Sequence, residues 1–82
     1  MNTAAGFIEL GRWMRREGHS IRSFADKTRL DKTTVFRLLH GTHHKISMRL
    51  ADVIEAATKG EVGLDEMRAY ERRVARRQRE DA

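Results

Sequence analysis

Residues 20–41 read SIRSFADKTRLDKTTVFRLLHG, and the second half of that stretch sets the pattern. A helix over residues 32–40 places Val35, Leu38 and Leu39 at i, i+3 and i+4, on one apolar face. Lys32, Thr33, Phe36, Arg37 and His40 then share the opposite face, which carries two cations and no acid. Asp31 stands where an N-cap carboxylate accepts the orphan N–H groups of the first turn, and Gly41 where a helix ends in the left-handed conformation. A helix with an apolar back and a cationic, hydrogen-bonding front suits the major groove of DNA. There Arg and Lys donate to guanine, and Thr or Phe touches a thymine methyl.

The first half supplies a brace. Ser20 is placed to cap a helix running to about residue 27, on which Ile21, Phe24 and Ala25 face inward. The small Ala25 lets a second helix cross closely, and Leu30 sits in the short TRLD connection as a plug for the angle. Two short helices meeting steeply across such a turn form a helix-turn-helix unit.

At these residues the chain resembles the phage repressor (Cro/cI-like, XRE-like) family of helix-turn-helix proteins. The family pattern has a Leu-Ala pair in the first helix, Gly then an apolar residue at the turn, Val or Ile inside the second helix, and a closing Leu-x-x-Gly run. Phe24-Ala25, Leu30, Val35 and Leu38-Leu39-His40-Gly41 hold those positions, and the resemblance runs from about Phe7 to Met67. It implies a DNA-binding domain over residues 1–67, with base-edge contacts from Lys32, Thr33, Phe36 and Arg37. Contacts to the DNA backbone would come from Ser20, Arg22, Arg29 and His40, and from Thr42, His43, His44 and Lys45 in the following loop. Three positions depart from the pattern: Arg29 replaces the usual Gly, Ile21 a common phosphate-reaching Gln, and His19 a usual Leu. Positive φ costs a non-Gly residue roughly 1 kcal/mol, so the turn at Arg29 is either a different one or mildly strained.

Composition agrees with a polyanionic partner. The 82 residues are 35% charged with a formal net charge of +5, and the pI is about 10.4. Nucleic acid is the first candidate and an anionic membrane surface the second. A chain of this length makes one small domain with a modest core. With no Cys, disulfides and thiolate metal sites are excluded, which fits a reducing cytosol. No apolar run reaches the ~18 residues a membrane span needs, and no signal-peptide pattern opens the chain.

The flanking segments read as three further helices, so the expected fold is all-α, compact and five-helical, with a basic C-terminal helix. Residues from about 4 to 17 align Phe7, Leu10 and Met14 on one stripe, flanked by Ile8 and Trp13, and Gly18 stops the helix. Arg12, Arg15 and Arg16 read as a solvated face. Ser47 caps a helix whose buried stripe is Leu50, Val53, Ile54 and Ala57, with Met48 covering the core edge. Val62, in the short EVG link, is read as a strand fragment or a core plug.

The final helix, from residue 64, begins with Asp65 and Glu66 and becomes arginine-rich, as the helix dipole favours. From Arg68 onward six Arg face three acids. Met67, Tyr70 and Val74 fall at 3-then-4 spacing, the seam of a short coiled coil. One reading makes residues 68–82 a dimerisation element using that seam together with Val62. The other docks Leu64, Met67 and Tyr70 on the body and leaves a charged tail. The seam is preferred, because so thin a stripe on a long helix needs a partner to be ordered.

His40, His43 and His44 do not make an expected metal site. Histidines three and four apart ligate from a continuous helix, whereas Gly41 interrupts this one and no acid or Cys completes a set. The loop Thr42–Lys45 is therefore read as backbone or groove contacts, or simply as a solvated polar loop. Glu17, Asp26, Asp31 and the histidines form no acid/base pair by spacing, so the chain is not expected to be an enzyme. The leading expectation is a cytoplasmic, sequence-specific transcriptional regulator acting on bacterial nucleoid DNA. It would be a homodimeric repressor on a palindromic double-stranded operator, since one such domain makes too few base contacts alone. The resemblance adds that such proteins are often encoded by phages and mobile elements. No cofactor, membrane or small-molecule ligand is expected. The alternative is an antitoxin-like interaction module that also binds its own promoter. RNA binding is disfavoured by the lack of aromatic stacking platforms.

Overall fold

Local chemistry places most of the helix boundaries. The computed structural model describes residues 6–43 and 45–81, and among them lie five helices and no strand: α1 (Ile8–Arg16), α2 (Ile21–Thr28), α3 (Lys32–His40), α4 (Met48–Ala57) and α5 (Leu64–Asp81). α2 opens on a reciprocal pair, with Ser23 N–H donating to Ser20 Oγ at 3.0 Å and Ser20 N–H to Ser23 Oγ at 2.9 Å. This is a capping box with Ser in the place of the usual Glu. α4 opens on Ser47, whose Oγ accepts from Leu50 N–H at 3.1 Å. At α5, Glu66 reaches back to accept from Gly63 N–H at 2.7 Å.

Asp31 does not cap as expected. Its backbone takes the extended N-cap conformation, but its carboxylate accepts no cap hydrogen bond. It stays exposed. α1 starts at Ile8, later than the sequence suggests; residues 4 and 5 lie outside the described residues.

Three helices end in the same way. The N–H of His19, Thr42 and Gly60 donates back to the carbonyl of Met14, Arg37 and Glu55 at 2.7, 2.9 and 2.8 Å. In each case the preceding residue is left-handed: Gly18, Gly41, and Lys59 at φ 56°. This double closure satisfies the last orphan carbonyls of each helix.

The core gathers Leu10 and Met14 of α1, Phe24 and Ala25 of α2, Val35 and Leu38 of α3, and Leu50, Ala51 and Ile54 of α4. Trp13 lies at its edge, stacked on His19 at 5.5 Å between centroids. Val62 is a plug rather than a strand, 2% exposed. Buried Thr58 secures it: the Thr58 hydroxyl donates to Ile54 O at 2.9 Å and its oxygen accepts from Val62 N–H at 3.1 Å. Arg16 bridges to Glu61 at 2.7 Å and so ties the end of α1 to the same link. Met48, expected over the core edge, is instead 58% exposed, and so are Leu64 and Ile8 at 43% each.

α5 corrects the sequence reading most. Met67 and Tyr70 are fully buried and Val74 and Val62 are 2% exposed within the single chain, so the four residues assigned to a dimer seam are core. The partner that the thin stripe needs is the chain itself. Tyr70 stacks on Phe7 with centroids 4.9 Å apart, and Phe7 N–H donates to Leu38 O at 3.0 Å. Arg73 pins the same corner, donating to Glu9 at 3.0 Å and to Gly6 O at 3.3 Å. The boundary drawn between residues 67 and 68 thus falls inside one continuous, docked helix. Leu64, named with Met67 and Tyr70 in the docking alternative, stays at the surface.

Candidate functional site

α3 sits with its back in the core and its front in solvent. Val35 and Leu38 are fully buried and Leu39 half-buried, whereas Lys32, Thr33, Phe36, Arg37 and His40 are all exposed. The front carries Lys32 and Arg37 without an acid. Phe36, 49% exposed, lies flat against His40 one turn along, with ring centroids 4.0 Å apart and planes at 27°. The stack covers one face of each ring.

The connection leading into α3 is held by its own residues. Thr28 Oγ1 donates to Phe24 O at 2.8 Å and accepts from Leu30 N–H at 3.3 Å. Arg29 takes φ 60° and ψ 24°, so the turn is the left-handed one and a non-Gly residue bears its strain. A long cation is thereby displayed on the exposed side. Ser20 and Arg22 lie at the start of α2 and are both exposed. Ser20 uses its N–H and its oxygen in the cap, which leaves the hydroxyl proton as its remaining donor.

The connection leaving α3 is held from a distance. Ile46 is 3% exposed and anchors the loop in the core. Its N–H donates to Glu71 Oε2 at 2.7 Å, and Glu71 Oε1 accepts from Arg68 at 2.6 Å. The Tyr70 hydroxyl donates to the carbonyl of His43. Burial pushes the Tyr70 hydroxyl up to about 12. Burial also acts to raise Glu71, but the Ile46 N–H and the Arg68 guanidinium outweigh it and hold the carboxyl below its ordinary value. Thr42 and Lys45 are exposed and His43 half-buried; His44 lies outside the described residues.

Between the two connections lies a groove of about 630 Å³ whose lining includes Arg29, Thr34, His43, Lys45 and Arg49. It brings together three of the residues expected at a phosphate backbone and adds Arg49, which the sequence reading passed over. The signal was present. Arg49 sits in the first turn of α4, where no acid occurs and where a cation opposes the helix dipole. Also missed were Arg68 and Glu71, which meet the loop through its backbone, and the Tyr70 hydroxyl; nothing local to residues 42–47 announces them.

Among the described residues, no group of three or more His, Asp or Glu is placed to hold a metal ion. None of the described helices is long and apolar enough to cross a membrane. Comparison with known protein families, curated proteins and solved structures finds no match.

Proposed function

We propose that the chain is a sequence-specific DNA-binding transcriptional regulator of the phage repressor type, with α2 and α3 as its helix-turn-helix unit and α3 as the reading helix. The observation that carries the reading is the front of α3: five exposed side chains, two of them cations and none an acid, on a helix whose back is locked in the core. Arg37 donates twice to the O6 and N7 of one guanine, Lys32 and Thr33 reach neighbouring edges, and the Phe36 ring meets a thymine methyl. Arg29, Lys45 and Arg49 neutralise phosphates on either side. Two copies on half-sites about one helical turn apart form the repressing complex, and they pair through a surface other than the buried stripe of α5.

Selection from a random DNA pool with the purified protein yields the half-site and its spacing. Arg37→Ala then costs about ten- to a hundredfold on the selected site and little on scrambled DNA, since a bidentate base contact is worth roughly 1–3 kcal/mol of discrimination. An equal loss on both would make Arg37 a backbone contact and withdraw the reading of this face. A pair neutralising about 6–10 phosphates also gives a slope of log K against log salt of roughly −5 to −9. Binding indifferent to salt would exclude DNA as the partner.

A further inference from the structure

The groove between the two connections combines two chemistries, and a DNA backbone calls on only one of them. Arg29, Lys45 and Arg49, all exposed, share its lining with Leu30, Leu50 and Val53. Phosphates of a duplex can engage the three cations but bring nothing apolar to cover Leu30 and Val53, which are half-buried. A volume of about 630 Å³ falls within the ~300–1,000 Å³ of small-molecule sites.

The cations are open to an anion. No acid lines the groove, and among the described residues none of the ion pairs takes Arg29, Lys45 or Arg49. Glu71 acts on Lys45 electrostatically, but its two oxygens already accept from Arg68 and from Ile46 N–H. Asp26, Asp31 and Asp52, two or three residues from Arg29 or Arg49, are exposed and stand outside the lining. Hydroxyl donors are present as well. Thr34 is half-buried in the groove, and its side chain makes no hydrogen bond to the described residues. Ser47 accepts from Leu50 N–H, which leaves its O–H to donate.

We propose that this groove is an effector site for a small organic phosphate, whose phosphate group meets the cations and hydroxyls while a compact apolar body covers Leu30 and Val53. Arginine forks suit the class, because each can hold a phosphate in a bidentate grip. The apolar lining separates such a ligand from free phosphate. Arg29, Lys45 and Arg49 are also the cations assigned to the DNA backbone, so ligand and duplex exclude one another and a filled groove releases the operator. That release rests on the reading that the chain binds DNA; the site itself does not.

The test titrates the full chain with phenyl phosphate and, separately, with inorganic phosphate, followed by NMR at constant ionic strength. Phenyl phosphate binds about tenfold more tightly through partial burial of its ring, and ring-current shifts move the methyl signals of Leu30 and Val53. Arg49→Gln, at an exposed position, weakens phenyl phosphate by about tenfold for one charged hydrogen bond lost, with an intact circular-dichroism spectrum. Equal affinities for the two anions, unmoved methyl signals or an indifferent Arg49→Gln would overturn the proposal and leave a plain cationic surface. A second arm starts from the chain bound to its selected duplex. Phenyl phosphate displaces the duplex with a midpoint that tracks its own affinity, and inorganic phosphate needs about tenfold more. Phenyl phosphate bound without displacement would overturn the effector role. A chain that binds no duplex at all defeats the DNA reading, a distinct result, and the direct titration then still decides the site.

Discussion

The two connections that flank α3 are built on opposite principles. The leading one, Thr28 to Asp31, is short and self-contained: a threonine hydroxyl, a leucine plug and an arginine forced into the left-handed region. The trailing one, Thr42 to Ser47, starts at a glycine well suited to that region and is then held by residues some 25 positions later, Tyr70 and Glu71. The first keeps its shape at the cost of local strain. The second depends on the rest of the fold. A surface spanning both can therefore be loosened on one side without disturbing the other.

The largest disturbance falls on the remote clamp. Tyr70→Ala removes the ring stacked on Phe7 together with the bond to His43, and by analogy with other large-to-small aromatic changes costs about 3–5 kcal/mol. Thermal or urea melting measures it; a loss under 1 kcal/mol would mean the ring is not a core element. Glu71→Gln is milder, roughly 1–2 kcal/mol for a partly exposed charge-assisted pair. Its sharper readout is the Ile46 amide, which exchanges faster with solvent while the amides of α2 are unaffected.

The clamp also titrates. Because the Glu71 carboxyl is held below its ordinary 4.5, its contribution is complete above that value and is lost as pH falls through the lowered one. Acid unfolding of Glu71→Gln should lack that component, and a profile identical to wild type would show that the carboxylate is not coupled to folding. At the alkaline end the sign reverses. Tyr70 is raised from 10.0 to about 12, so its contribution holds below 10.0 and is lost as pH rises towards 12. Tyr70→Phe abolishes this alkaline loss and costs roughly 1 kcal/mol at neutral pH.

The smallest effect belongs to the leading turn. Arg29→Gly relieves the left-handed strain, less the added freedom of the unfolded glycine, for a net gain of up to about 1 kcal/mol. DNA affinity should nevertheless fall, since the cation is gone. A variant that is more stable and binds equally well would remove Arg29 from the interface.

How much of this was legible in the sequence follows the same division. Ser20, Ser47 and Gly41 act within a few residues of themselves, and they cap or close the helices where spacing places them. The stripes of α1 to α4 are likewise periodic and local. The α5 stripe was equally periodic, but periodicity specifies an apolar face and not what covers it, so Met67, Tyr70 and Val74 read as well for a second chain as for Phe7 and the loop. Ile46 stands alone among polar residues with no pattern to mark it, and its bond to Glu71 spans 25 positions. Asp31 failed differently: the residue type suits a cap, but the carboxylate does not take the bond.

The span of that clamp bears on how the protein is made. Synthesis proceeds from the N-terminus at about 5–20 residues per second, so α1 to α4 can collapse while α5 is still inside the ribosome. Until α5 emerges, the nascent chain has α3 and a leading turn but no hydroxyl for His43 O and no carboxylate for Ile46 N–H. The trailing half of the surface thus matures after the leading half, once α5 can dock, and a chain cut after α4 would leave Ile46 N–H and His43 O without those partners.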